Sequence, residues 1–322
     1  MFLVSVILTA HNKGKFLKEA IDSVLNQSWN EIELIIIDDN SIDNTSDIIN
    51  QLHDERIKYY RVTFNNASKA RNFGISKAVG KYIQFLDGDD FLDINKIEYQ
   101  LKDGNNDPGT LLVTSTYYFY DGHSEMYELD TEFLRYSSNP YKFIFNLYTA
   151  IGHGMVQPGA WLVSRQLINT SGFWNESLTV DDDGEYFCRV ILNSKKIIHT
   201  DIPLNFYRRY KLKNISLSSL KSESAFESML KSAFLKISHL EKYYNDHNLS
   251  VLKNSLLVEI MVNSFPKYKH ISNTASLNMN KEMKIEIPQI GGYMIEQFKK
   301  YCGWKLAKYL QFYKGSILKN KQ

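Results

Sequence analysis

Cysteine is nearly absent: Cys188 and Cys302 are the two in 322 residues. Two isolated thiols build neither a disulfide framework nor a tetrahedral zinc site, and they fit a reducing, cytoplasmic setting. A charge of one sign is also missing, since 38 basic residues face 36 acidic ones for a net +2. That balance argues against a general nucleic-acid binder. There is no run of about 18 apolar residues, so no membrane-spanning helix is expected. The apolar opening, Met1 to Thr9, is too short for a signal peptide and lacks a basic leader. Both glycine-rich phosphate cradles are absent: there is no G-x-x-x-x-G-K-[ST], and no G-x-G-x-x-G between a strand and a helix. Phosphate, if bound, has to be held by other means. No internal repeat or low-complexity tract stands out.

What is present is a core-forming chain, 43% hydrophobic, long enough for a domain of about 200 residues plus a smaller one. Its first hundred residues alternate in type. Leu3 to Thr9 is an apolar, β-branched run, followed by a helical stripe of Phe16, Leu17, Ala20, Ile21, Val24 and Leu25. Ile32 to Ile37 reads as a second strand, Asn44 to Leu52 as a short helix and Ile57 to Val62 as a third strand. Ala70 to Val79 reads as a helix, Lys81 to Leu86 as a strand and Leu111 to Phe119 as a further strand. Runs that read as buried on both faces and are separated by helices predict an α/β fold with a mainly parallel central sheet and right-handed crossovers.

In such a sheet, polar residues just past the strands collect on one edge, where open α/β sheets bind ligands. Asp87-Gly88-Asp89-Asp90 follows the Lys81 strand. Three carboxylates in four residues repel one another unless a cation sits among them, and a hard divalent ion, Mg²⁺ or Mn²⁺, suits oxygen ligands and substrate phosphates. An acidic surface turn is the plainer alternative. Thr9-Ala10-His11-Asn12 and Asp38-Asp39-Asn40-Ser41 emerge on the same edge. Asp39 can accept the imide N–H of a uracil ring and His11 can stack on its face, whereas helix capping would explain one or two of the residues from Asp38 to Ser41. Asn66 to Gly74 opens a helix carrying Lys69 and Arg71, which suits a diphosphate through backbone N–H groups and a guanidinium. By itself it reads better as a solvated basic turn.

The segments Val4 to Asn12, Ile35 to Asp43, Ala70 to Ile75 and Leu86 to Asp90 together resemble the motifs of family 2 glycosyltransferases, in that family's order and spacing. The resemblance covers residues 1 to 218. It implies the Rossmann-like GT-A fold and inverting transfer of a sugar from a nucleotide donor. It places Thr9, His11 and Asp39 around the base and Arg71 by the nucleotide. Asp87 falls near the ribose or metal, and Asp89 is the expected metal ligand. Inverting transfer also needs a carboxylate to take the acceptor proton. The family carries that base in an acidic pair at a helix start, which corresponds here to Asp183 in Asp181 to Val190. Asp182 is the competing candidate and an acceptor-side contact; Asp182 with Glu185 also fits a capping box. Trp161, in a Gly-Ala-Trp step, is a candidate acceptor platform or a core residue, and Trp174 reads as packing. Phe206 to Tyr210 with Asn214 to Ser218 resembles the family's Tyr-Arg-x-His…Ser-x-Ser segment. Tyr210 stands where His is usual, and Arg208 is the candidate to hold the leaving diphosphate in its place.

Residues 219–322 lie beyond the resemblance and read as helices at Glu223 to Asn245, Val251 to Phe265 and Tyr293 to Leu318, the last with a break at Gly303. Aromatic residues and lysines alternate in that final stretch. Packing or a homo-oligomer is the expected use, with peripheral contact to an anionic membrane as the alternative. The expectation is a metal-dependent, non-processive transferase, since the Gln-x-x-Arg-Trp motif of processive synthases is missing. It would use a UDP-sugar, with dTDP-sugar close behind, and a glycan, lipid-linked or protein-linked acceptor. A nucleotidyltransferase and a silent sugar-nucleotide or glycan-binding module are the rivals.

Overall fold

The structure, a computed structural model, describes residues 2–120, 126–128, 137–150, 156–210 and 222–319. The chain divides into two compact units, Met1–Ser219 and Leu220–Gln322.

The first unit begins with β1 (Val4–Ala10), α1 (Gly14–Leu25), β2 (Ile32–Asp39), α2 (Thr45–Asn50), β3 (Ile57–Val62), α3 (Ala67–Lys77) and β4 (Tyr82–Asp87). It continues with β5 (Phe91–Leu92), α4 (Lys96–Asp103), β6 (Thr110–Tyr120), β7 (Met126–Glu128), α5 (Pro140–Thr149), β8 (Trp161–Ser164), α6 (Arg165–Ser171), α7 (Asp182–Asn193) and β9 (Lys196–Arg209). These strands form one sheet in the order β3-β2-β1-β4-β8-β6-β9-β5, with β7 paired to β6. Strands β3, β2, β1 and β4 run parallel, as do β6 and β9, while β8 lies antiparallel between β4 and β6. The fold is the α/β, GT-A type, with a mostly parallel sheet and flanking helices.

The local causes are those of a sheet covered on both faces. All of β2 is buried, and so is β1 apart from Thr9, which is why apolar residues dominate both; Glu33 within β2 is held by the Ser5 hydroxyl, by Lys58 at 2.6 Å and by the Val79 amide at 2.7 Å. Helix α1 lays Leu17, Ala20, Ile21 and Val24 on the sheet, each large side chain contributing roughly 1.5–3 kcal/mol of burial. Helix α3 approaches β1 closely at Gly74, where a Cβ would lie 2.4 Å from Ile7 Cγ2. It starts three residues earlier than the sequence pattern suggests, because the Asn66 side chain caps it by accepting the Lys69 N–H at 2.9 Å. The long strand β9 was not anticipated.

The second unit is helical: α8 (Glu223–Leu240), α9 (Asp246–Ser264), α10 (Lys269–Leu277), α11 (Tyr293–Cys302) and α12 (Trp304–Lys319). Phe226, Ile237, Leu257, Met261, Ile271 and Ala307 belong to its core. Helix α10 lies between the helices expected to end at Phe265 and to begin at Tyr293, where no helix was anticipated. Ile271 and Ala275, one turn apart, are buried, and the Ser272 hydroxyl donates to the Met261 carbonyl at 2.7 Å. Gly303, at φ +80°, separates α11 from α12.

Candidate active site

The parallel register sets the carboxyl ends of β1, β2 and β4 side by side: Thr9 is opposite Asp87 and Ala10 opposite Asp38. The Thr9 hydroxyl donates to Asp87 Oδ1 at 3.2 Å. Past the strands the chain turns through left-handed asparagines, Asn12 at φ 53° and Asn40 at φ 63°, a conformation that asparagine tolerates better than most residues. The turns are tied together. The Asn12 amide donates to the Ser41 hydroxyl at 2.9 Å and the Ile42 amide to Asn12 Oδ1 at 2.8 Å. His11 Nδ1 lies 2.6 Å from the Asp39 carbonyl. A carbonyl only accepts, so Nδ1 carries the proton here, and the ring stays exposed at the edge. Asp39 fastens the loop before α3, accepting the backbone N–H groups of Phe64, Asn65 and Asn66 at 2.6, 2.8 and 2.9 Å. Of about four lone-pair positions on a carboxylate, one is left over.

Arg71 is the hub. It is 6% exposed, with Nη2 2.9 Å from Asp87 Oδ1 and Nη1 3.0 Å from Asp182 Oδ2. Its guanidinium lies 4.5 Å from the Trp174 ring centroid, a stacking surface that an ammonium would use less well. Burial opposes its charge, but Asp87 and Asp182 outweigh that and raise its pKa further. The Ser68 hydroxyl adds a bond to Asp182 Oδ2 at 2.8 Å. One buried cation therefore joins the acidic turn after β4 to the acidic start of α7.

Asp89 is held from two sides. Lys13 Nζ sits 2.5 Å from Asp89 Oδ2, and the Tyr210 hydroxyl donates to the same oxygen. Burial, and then Asp89 itself, pushes the Tyr210 phenol far up, so it remains a donor. Tyr210 thus keeps contact with the acidic turn from the position where the resemblance leads one to expect His. Asp90 is buried and accepts the Arg208 amide at 2.9 Å. Burial, with Asp89 and Asp87 adding to it, raises its carboxyl well above the ordinary range. Arg208 is 5% exposed. Its Nε donates to the Asp89 carbonyl at 2.9 Å, its Nη2 pairs with Glu19, and its guanidinium lies between the rings of Phe16 and Phe119. It braces the acidic turn from beneath. The segment Asn214 to Ser218 lies outside the described residues.

Asp183 stands in the first turn of α7, just after Asp181 at φ 60°. Tyr186, Phe187, Val190 and Ile191 anchor that helix in the core, and Tyr186 stacks on Trp174 at 4.2 Å. The anticipated capping box does not form in its reciprocal sense: Asp182 turns to Ser68 and Arg71, and Glu185 pairs with Arg189 at 2.8 Å. Asp183 keeps a bond from the Gly184 amide at 2.9 Å. Burial first, then the neighbouring Asp182 and Asp181, lifts its carboxyl from 3.8 to about 7, against the pull of Arg71 and of that amide. A carboxyl titrating near neutrality is poised for proton transfer.

Thr9, His11, Asp39, Asp87 and Asp89 thus share one strand edge, hydrogen bonds link Thr9, Asp87, Arg71 and Asp182, and Asp183, next in the chain to Asp182, feels the charge of Arg71. Trp161 is not among them. Its indole is 1% exposed, stacked on Phe187 at 4.9 Å and edge-on to Phe143, so the acceptor platform read from the Gly-Ala-Trp step is a core residue. Sequence reasoning passed over Lys13, Ser68 and the pairing of Tyr210 with Asp89. Lys13 had one signal, a basic residue one step past the Asn12 turn on the edge where the carboxylates collect.

Comparison with known proteins identifies the family. The Glycosyl transferase family 2 model matches residues 5–172. The glycosyltransferase GlyG of Streptococcus pneumoniae is 29% identical over 226 residues, taking in 64% of this chain and 71% of that protein. WfaP of Escherichia coli, a UDP-Glc:α-D-GlcNAc-diphosphoundecaprenol β-1,3-glucosyltransferase, is 41% identical over 102 residues, or 31% of this chain and 41% of WfaP. An uncharacterized glycosyltransferase of Haemophilus influenzae is 45% identical over 104 residues, 31% of this chain and 42% of that protein. The chain therefore spans less than half the length of these last two relatives. Among solved structures, residues 1–349 of S. aureus TarS in complex with UDP-GlcNAc superimpose with a TM-score of 0.60 at 14% identity, covering 90% of this chain and 98% of that one. That likeness concerns the fold. The stretch matched by the family model takes in more than half of the residues, and the chain belongs to glycosyl transferase family 2.

Proposed function

We propose that the protein is a metal-dependent, inverting, non-processive glycosyltransferase of bacterial surface-glycan synthesis. It moves a hexosyl or N-acetylhexosaminyl group from a UDP-sugar to a hydroxyl of a glycan or glycoconjugate. The observation that carries this reading is the Arg71 bridge, which draws the acidic turn after β4 and the carboxyl at the start of α7 into one site. Asp183 is the base: it takes the proton of the acceptor hydroxyl as that oxygen bonds to the anomeric carbon. The bond from that carbon to the diphosphate oxygen breaks on the opposite face, and UDP leaves with the electron pair. Thr9, His11 and Asp39 line the base and ribose end, Asp39 offering its remaining lone pair to the uracil imide. Arg71 holds the nucleotide side, Arg208 supports the turn under the diphosphate, and Asp182 lies on the acceptor side and positions Arg71.

A divalent ion fits Asp89, with Asp87 beside it. The donors are hard carboxylate oxygens, and the Lys13 ammonium already rests on Asp89 Oδ2 as a stand-in cation. When bound, Mn²⁺ or Mg²⁺ supplies positive charge to the departing diphosphate. The UDP-Glc that WfaP uses and the UDP-GlcNAc bound in the TarS complex support a uridine donor here. The WfaP acceptor supports a lipid-linked diphosphate glycan as the acceptor class.

The test is thermal unfolding with UDP, dTDP, GDP and CMP, each with and without Mn²⁺. A ligand at a hundred times its Kd adds about 2.7 kcal/mol. UDP should stabilise most, dTDP next, both only with metal, and Asp89→Ala should abolish the response. A folded sample that answers to no nucleotide would refute the reading in favour of a silent binding module.

A further inference from the structure

We infer that the last two helices form a docking surface for an anionic lipid bilayer. The inference rests on the second unit alone and does not depend on the transfer reaction. Helix α11 has no buried residue, and in the described part of α12 only Ala307 is buried. The inward side of the pair is accounted for: Trp304 and Tyr309 pack on Phe265 at 5.5 and 5.0 Å, and Phe298 lies against the core. The outward side is apolar and uncovered. Tyr293 and Tyr301 are each 79% exposed, Met294 74%, Tyr313 59%, Leu306 55% and Leu310 37%. Leu306, Leu310 and Tyr313 follow one another at i, i+4 and i+7, a single helical face. A set of this size does not belong on an ordinary water-facing helix.

Charge selects the occupant. Residues 293–322 hold seven lysines and one acidic residue, Glu296, whereas the whole chain carries +2. With +6 here, the preceding residues carry −4. Glu296 is spent on Lys299 and on the amides of Ile290 and Gly291, which leaves Lys300 and Lys305 exposed beside the apolar residues. A second copy of so basic a face would repel the first. An anionic bilayer satisfies both components, with aromatic rings at headgroup depth, leucines just below, and lysines reaching the phosphates. The helices lie on that surface and do not cross it. The 16 residues of α12 extend about 24 Å, short of a hydrocarbon core of about 30 Å, and no described helix is long and apolar enough to span a membrane.

The experiment is co-sedimentation of the full chain, without donor or metal, on phosphatidylcholine vesicles and on vesicles that also contain phosphatidylglycerol. Binding is expected on the anionic vesicles, weakened by salt. It should fall at least about tenfold in the double variant Lys300→Glu/Lys305→Glu, and fall likewise in Tyr301→Ser/Leu306→Ser/Leu310→Ser. All five side chains are exposed, so circular-dichroism melts of both variants should match the wild type. Failure to bind either vesicle, equal binding to both, or equal binding by the variants would overturn the inference. So would a wild-type dimer in light scattering that the apolar variant turns into a monomer, because a second copy would then own the face. A nucleotide response in the thermal test without vesicle binding would reject this inference and leave the proposed function standing.

Discussion

Replacing Asp183 by asparagine preserves the side chain's shape and an oxygen for the Gly184 amide but removes the ionisation. Two consequences follow in opposite directions. Transfer should fall by roughly 10²–10⁴, the usual worth of a positioned base. In the wild type, kcat/KM should climb about tenfold per pH unit and level off above pH about 7, the value set by burial and by Asp182 and Asp181. Stability should rise. Below pH about 4 the folded and unfolded chains both keep the Asp183 proton, and the group costs the fold nothing. Between there and pH 7 the unfolded chain ionises first, so the fold binds the extra proton and loses stability as pH increases. Raising the carboxyl from 3.8 to about 7 corresponds to a ceiling of about 4 kcal/mol. Asp183 is half-buried, so solvent screens part of this, and a gain of about 1–2 kcal/mol is expected for Asp183→Asn at pH 8. That is a rise in Tm of about 3–6 °C for a unit of this size, vanishing near pH 4. Calorimetry at the two pH values checks it. A variant no more stable than the wild type at pH 8, or equally stabilised at both, would refute the assignment of a strained carboxyl to this position.

Arg71→Ala leaves Asp87 and Asp182 without their shared cation and should cost about 3–5 kcal/mol in urea unfolding; Arg71→Lys should recover only part, because an ammonium cannot span both carboxylates and the Trp174 face. Lys13→Met removes the cation resting on Asp89 and should tighten Mn²⁺ binding measured by calorimetry without nucleotide. Unchanged affinity would mean that the metal does not use that oxygen. Gly74→Ala puts a Cβ 2.4 Å from Ile7 Cγ2 and should lower stability by about 1–3 kcal/mol, seen as a reduced urea midpoint with an unaltered slope.

Three strands of the parallel half, β1, β2 and β4, were legible because they are buried on both faces. Val4 to Ala10 and Ile32 to Ile37 are dominated by apolar residues, and a run of polar ones follows each; Glu33 is the exception within them, held by the Ser5 hydroxyl, Lys58 and the Val79 and Gly80 amides. The edge on which Thr9, Asp39, Asp87 and Asp89 meet followed from that pattern. Asp183 was reached through the resemblance alone, from the acidic pair at the start of a helix that Tyr186, Phe187, Val190 and Ile191 anchor in the core. Other parts depend on tertiary contacts that leave little local trace. Helix α10 includes His270-Ile271-Ser272-Asn273-Thr274, residues that favour helices weakly, and it forms because Ile271 and Ala275 find a core. Strand β9 mixes charged and apolar residues along its length and is defined by its pairing with β6. Trp161 illustrates the reverse case: an indole in a Gly-Ala-Trp step can face a sugar or a core, and only the location of Phe187 and Phe143 decides.

The reach of α3 across the first unit bears on how this protein can be recombined. The family match ends at residue 172, yet the bonds of this helix do not. Asn66 donates to the Glu176 carbonyl at 3.1 Å, Asn72 to the Trp174 carbonyl at 3.0 Å and to the Glu176 carboxylate at 2.9 Å, and Ser68 and Arg71 both hold Asp182. A chimera spliced at that border, with the front from one relative and the back from another, would set one parent's helix against the other's loop. Such a hybrid inherits a mismatched clamp at the junction, so exchanges of specificity should carry residues 66–72 and 174–182 together as a single heritable block.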